Sequence, residues 1–157
     1  MQRTIAAAGI AVVVLSGFTA PPATRTMPAK LEQLNEILGR WQGTSTCVKA
    51  DWNASCNNER VVYFFERAPG SATALTVHAY KYVGTTLDSM GDLTCEYDPA
   101  TKSWVAPFSN GRVRIQWVYQ VLPGGAMTGR LDDLINKRVT RNASLRRDSI
   151  QTPPPGH

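Results

Sequence analysis

The stretch LGRWQGTSTC, Leu38 to Cys47, is where the spacing of apolar residues changes. Upstream of it Leu31, Leu34, Ile37 and Leu38 recur on one helical face, with Lys30, Glu32, Gln33 and Glu36 between them, which predicts one short amphipathic α-helix. Pro28 suits the first turn, where a missing N–H costs no hydrogen bond, and Gly39 suits the end, since glycine accepts the left-handed conformation that stops helices. From Trp41 onward the period is two. In Arg112 to Gln120, for example, Val113, Ile115, Trp117 and Tyr119 alternate with Arg112, Arg114, Gln116, Val118 and Gln120, the pattern of a strand with one apolar face.

Eight strands are expected on this basis, approximately Arg40–Val48, Glu59–Glu66, Ala72–Val83, Asp88–Tyr97, Lys102–Ala106, Arg112–Val121, Ala126–Leu134 and Arg138–Arg147. Turn residues separate them at Ala68-Pro69-Gly70, Asp98-Pro99-Ala100, Asn110-Gly111 and Pro123-Gly124-Gly125. Breaks this short favour antiparallel neighbours, and no intervening segment is long enough for a crossover helix. A meander of eight strands hides its edges by closing on itself. The expectation is therefore an all-β, eight-stranded antiparallel up-and-down β-barrel with one short N-terminal α-helix. A two-sheet sandwich is the rival, but it needs a long Greek-key connection that the sequence lacks.

The 157 residues suit one domain, expected over residues 29–148. Residues 1–20 read as an export signal: Arg3 supplies the positive start, and Ile5 to Leu15 form an apolar run shorter than the roughly 20 residues that span a bilayer. Residues 21–28 form a spacer and 149–157, with Pro153-Pro154-Pro155, a disordered tail. A secreted or periplasmic location permits disulfides. Of the three cysteines, Cys47 and Cys56 bracket a polar loop and are expected to pair, leaving Cys95 as a buried thiol. The formal charge is +5, and without Arg3 the balance is 16 basic to 12 acidic residues. The late basic residues Lys137, Arg138, Arg141, Arg146 and Arg147 could meet an anionic partner or simply coat a strand face. Export argues against nucleic acid, and a monomer without a membrane span is expected.

A short helix running into Gly39-Arg40-Trp41 resembles the G-x-W signature of lipocalins and, more broadly, of calycin barrels, extended here to Gly43 as G-x-W-x-G. The resemblance implies a lipocalin-like barrel whose closed end is plugged by Trp41, with Arg146 or Arg147 of the last strand lying across the ring. Gly43 would leave room in a tapering interior. Two departures stand out. The Thr-Asp-Tyr turn late in the lipocalin barrel has no counterpart, the matching hairpin reading Leu122-Pro123-Gly124-Gly125, and the last strand lacks the Arg-x-Tyr pair with which fatty-acid-binding proteins hold a carboxylate.

An eight-stranded barrel is just wide enough to be filled by side chains or to hold one small ligand. Gly43, Ser45 and Cys47 on the first strand and Gly129 on the seventh are small and leave space. The expected lining of an apolar site is Trp41, Tyr63, Phe65, Trp117, Tyr119, Met127 and Arg141, holding a small apolar or amphipathic molecule without turnover. Arg141 lies among Val139, Ala143 and Leu145, where an unpaired charge is costly. It holds a ligand carboxylate or phosphate, pairs with an internal acid, or marks a bulge. No nucleophile motif accompanies His78, and the cysteines lack zinc spacing, so neither an enzyme nor a metal site is expected. Haem held by His78 is a lesser alternative. Protein interaction is another, as a protease inhibitor or envelope-assembly partner, through the Lys49–Asn58 loop that presents Trp52.

Overall fold

The computed structural model of the chain describes residues 29–154. The expected export signal and spacer lie outside the described residues. The helix α1 spans Ala29–Ile37 and is followed by β1 Gly39–Cys47, β2 Glu59–Arg67, β3 Ala74–Val83 and β4 Thr86–Asp98. Then come β5 Ser103–Ser109, β6 Arg114–Leu122, β7 Ala126–Asp133 and β8 Arg138–Arg147. Each strand pairs antiparallel with the next, and β8 returns to β1 to close the barrel. The eight expected strands are all present, and the sandwich is excluded. Boundaries differ by a few residues. β5 runs three residues past Ala106, and β6 begins at Arg114 because Asn110 Oδ1 accepts the N–H groups of Arg112 and Val113, holding both in the hairpin turn.

The floor is built from the glycine-flanked tryptophan. Trp41 is completely buried, and its indole N–H donates to the Ile37 carbonyl at 2.7 Å, so the ring satisfies its one polar atom on the end of α1. Arg147, not Arg146, lies over that ring, its guanidinium carbon 4.5 Å from the centroid. It also donates to the carbonyls of Leu38, at 2.7 Å, and Glu36, meeting acceptors that the helix end leaves without partners. Leu34 and Ile37 of α1 are fully buried against the same cluster.

The glycines do two different jobs. Gly39 has φ +102°, the positive region that turns the chain from α1 into β1. At Gly43 the expected taper is replaced by a tighter constraint, since a β-carbon there would stand 2.0 Å from the Ser144 carbonyl oxygen of β8. The two backbones approach too closely for any side chain.

Above the floor, Phe65, Leu75, Val77, Trp104, Tyr119 and Met127 fill the interior. Cys95 is buried among them as a free thiol, as expected. The other end of the chain is tied back to β1. Arg40 and Asp148 form an ion pair at 2.9 Å, the Asp148 N–H donates to the Arg40 carbonyl, and Gln151 accepts the Arg40 N–H at 3.2 Å. The first residues of the tail expected to be disordered are thus held at Gln151, while residues 155–157 lie outside the described residues.

Candidate ligand cavity

The barrel is solid at the α1 end and open at the other. There a cavity of about 430 Å³ is bounded by apolar side chains of Leu93, Ile115, Trp117 and Leu131, with Ala79 on the β3 wall. It also opens sideways. β4 and β5 pair at three positions only, Glu96 to Asp98 against Val105 to Ser103, whereas β3 and β4 pair at ten. The resulting gap is bordered by Met90 and Phe108, both exposed and both lining the cavity. Met90 is the extra residue of a bulge: Ala79 pairs with Gly91 and Tyr80 with Ser89, which leaves Met90 unpaired. Such a bulge turns a side chain out of the regular alternation, here toward the opening.

One wall is polar. Arg141 Nε donates to Ser45 Oγ at 2.8 Å, and Nη2 donates to Glu59 Oε2 at 2.8 Å, to the Asn57 carbonyl at 3.0 Å and to the Ser45 carbonyl at 3.2 Å. Nη1 reaches Cys56 Sγ at 3.3 Å. The open question about Arg141 is thereby answered on its structural side. It pairs with an internal acid, and it sits beside a bulge, since Leu131 pairs with Arg141 but Asp132 with Val139. The second oxygen of Glu59 binds Lys81 at 3.0 Å. Tyr63 hydrogen-bonds Ser45, and burial pushes its phenol well above the ordinary range despite the nearby Arg141.

Of the expected lining residues, Tyr63, Trp117 and Arg141 stand on the cavity wall. Trp41, Phe65, Tyr119 and Met127 share the inward face but lie deeper, in the filled half. The two groups touch through one aromatic layer: Trp117 stacks on Tyr119 at 5.6 Å between centroids, and Tyr63 meets both edge-on. Glu59, Asp92, Met90 and Phe108 were not anticipated. Glu59 was findable, because it shares the parity of Tyr63 and Phe65 on one strand and so is an acid facing inward. Met90 was not, because a bulge inverts the parity from which facing is read.

The remaining candidates separate from the cavity. His78 pairs with Phe64 and Asp92 on the opposite parity from Tyr63 and Ala79, so it faces the outside of the wall. Its ring nitrogens are 2.8 Å from Asp92 and 3.1 Å from Glu66. This corrects the haem alternative, because an axial ligand must point a free nitrogen into the barrel. Cys47 and Cys56 form the expected disulfide. It staples the loop carrying Trp52, which is exposed and held under Arg138 at 3.6 Å. Three of the five late basic residues, Arg138, Arg141 and Arg147, are therefore engaged within the fold. No cluster of three metal-ligating side chains occurs among the described residues, and no helix there is long and apolar enough to cross a membrane.

The closed meander with a helix before its first strand defines an eight-stranded antiparallel up-and-down β-barrel, a lipocalin-like fold. No protein-family model matches the sequence, and no curated protein matches it. Among solved structures the chain is similar to an alanine mutant of the fluorescent protein UnaG, at 10% identity over 74% of this chain and 99% of that one, TM-score 0.47. It is also similar to the siderocalin Ex-FABP, described as functioning through dual ligand specificities, at 9% identity over 75% of this chain and 78% of that one, TM-score 0.48.

Proposed function

We propose that the protein is an exported carrier that holds a small apolar or amphipathic molecule in the open half of the barrel and does not transform it. The observation that carries this reading is the cavity of about 430 Å³, within the range of roughly 300–1,000 Å³ typical of small-molecule sites. A barrel stabilised by packing alone has no use for unfilled space beside indole and phenol rings, since each void forfeits dispersion contacts. The Cys47–Cys56 disulfide fits the oxidising compartment to which the apolar start of the chain would direct it.

The test is binding of the uncharged dye Nile red, followed by its emission and by quenching of Trp117. Ala79→Trp places an indole in the cavity and should weaken dye binding at least about tenfold while the barrel stays folded by circular dichroism. Native mass spectrometry of protein recovered from the exported fraction should show a bound small molecule. Absence of dye binding to the wild type would remove the carrier reading.

A further inference from the structure

We infer that the cavity selects an uncharged ligand, such as a long-chain alcohol or ketone, and rejects carboxylates, with Glu59 as the specificity-determining residue. The inference rests on the carrier reading above and refines it. Among the described residues Arg141 is the only basic side chain lining the cavity, so it is the group an anionic ligand would have to reach.

The strongest arginine recognition of a carboxylate uses two parallel N–H donors on one edge of the guanidinium. That edge is not available here. Nε is spent on Ser45 Oγ, and Nη2 faces three acceptors with two hydrogens. Nη1 has the weakly accepting Cys56 sulfur on one side, which leaves a single hydrogen to offer. One donor suits a hydroxyl or carbonyl oxygen. Beside it, the Tyr63 and Ser45 hydroxyls face the same wall.

The ion pairs agree with the hydrogen bonds. Arg141 and Lys81 share Glu59, one on each carboxylate oxygen, so both cations already face an anionic acceptor. The Asp92 carboxylate is turned to the outer face of the wall, where it is bound to His78, which leaves Glu59 as the acid on the inner face. An entering carboxylate would meet the Glu59 carboxylate beside the one donor left to it, whereas an alcohol of the same length meets no such repulsion. This is selection by exclusion, built from a pre-paired arginine.

The experiment compares decan-1-ol with decanoate as competitors of bound Nile red at neutral pH. Wild type should bind the alcohol at least about tenfold more tightly than the carboxylate. Glu59→Gln keeps an acceptor for Arg141 but removes the charge, leaving Arg141 and Lys81 uncompensated. Decanoate should then gain at least about tenfold relative to decanol. Nile red binding with equal displacement by the two competitors in the wild type, or tighter decanoate, would overturn the inference while leaving the carrier reading intact. No Nile red binding at all would overturn both. The wild-type ratio tests the selectivity even if the variant folds poorly, and a folded Glu59→Gln that keeps that ratio would remove Glu59 as its determinant.

Discussion

At Gly43 the distance from a hypothetical β-carbon to the Ser144 carbonyl oxygen is 2.0 Å, a contact with backbone that no side-chain rotation relieves. Gly43→Ala must therefore push β1 from β8 across the seam that closes the barrel, and a loss of about 3 kcal/mol is expected in urea unfolding. The same residue scale explains Arg147. Its guanidinium covers the Trp41 ring and caps two carbonyls near the end of α1, so it binds a strand, a helix and the floor together. Because the group is partly solvated, Arg147→Ala should cost only about 1–2 kcal/mol. Arg147→Lys should recover little of it, since an ammonium cannot lie flat on the indole and reach both carbonyls at once. Equal stability of the two variants and wild type would show that the contact carries no energy.

At the scale of elements, the β1–β2 loop controls the polar wall. The disulfide joins residues nine apart in sequence, and in the chain-entropy model a loop of that size contributes about 2–3 kcal/mol. Replacing Cys47 and Cys56 by serine should remove that amount in chemical denaturation. It should also weaken ligand binding, because Asn57 and Cys56 supply contacts that fix Arg141. The elements themselves were legible in advance, since a period of two runs through strands such as β6 and glycine, proline and asparagine mark the turns, although β2 is buried without alternation from Val61 to Phe65. The failures have physical reasons. The fifth strand was expected to stop at Ala106, yet β5 continues through Pro107 to Ser109, because β4 has already splayed away and the proline stands at a strand edge. Away from the bulges facing was legible and depth was not. Trp41 and Trp117 share an inward parity, but only the register around the whole barrel reveals that one is floor and the other is cavity wall. Arg141 carried a readable question, and its answer required Glu59, which is distant in sequence but adjacent across the mouth.

The whole molecule divides into a dry lower half and an open upper half, and that division has a consequence in alkali. Cys95, Tyr63 and Tyr119 are acids buried in their neutral forms. Burial, with a smaller contribution from Glu96, pushes the Cys95 thiol from an ordinary value of 9.0 up to about 12. Burial likewise holds the Tyr63 and Tyr119 phenols above their ordinary 10.0. For such groups the unfolded chain loses its proton first, so above the unfolded pKa the native state binds more protons and stability falls as pH rises. The fall should begin near pH 9 with Cys95 at about 1.4 kcal/mol per pH unit, and steepen beyond about pH 10 as the two tyrosines join. Cys95→Ala lowers the baseline by removing a buried sulfur, but it should also leave the stability level between about pH 9 and 10, where the wild type is already declining. Urea titrations across that interval separate the two effects, because packing shifts the whole curve and proton linkage changes its slope. A variant curve parallel to the wild type would show that Cys95 is already ionised or solvated in the folded barrel, contrary to its place in the filled half.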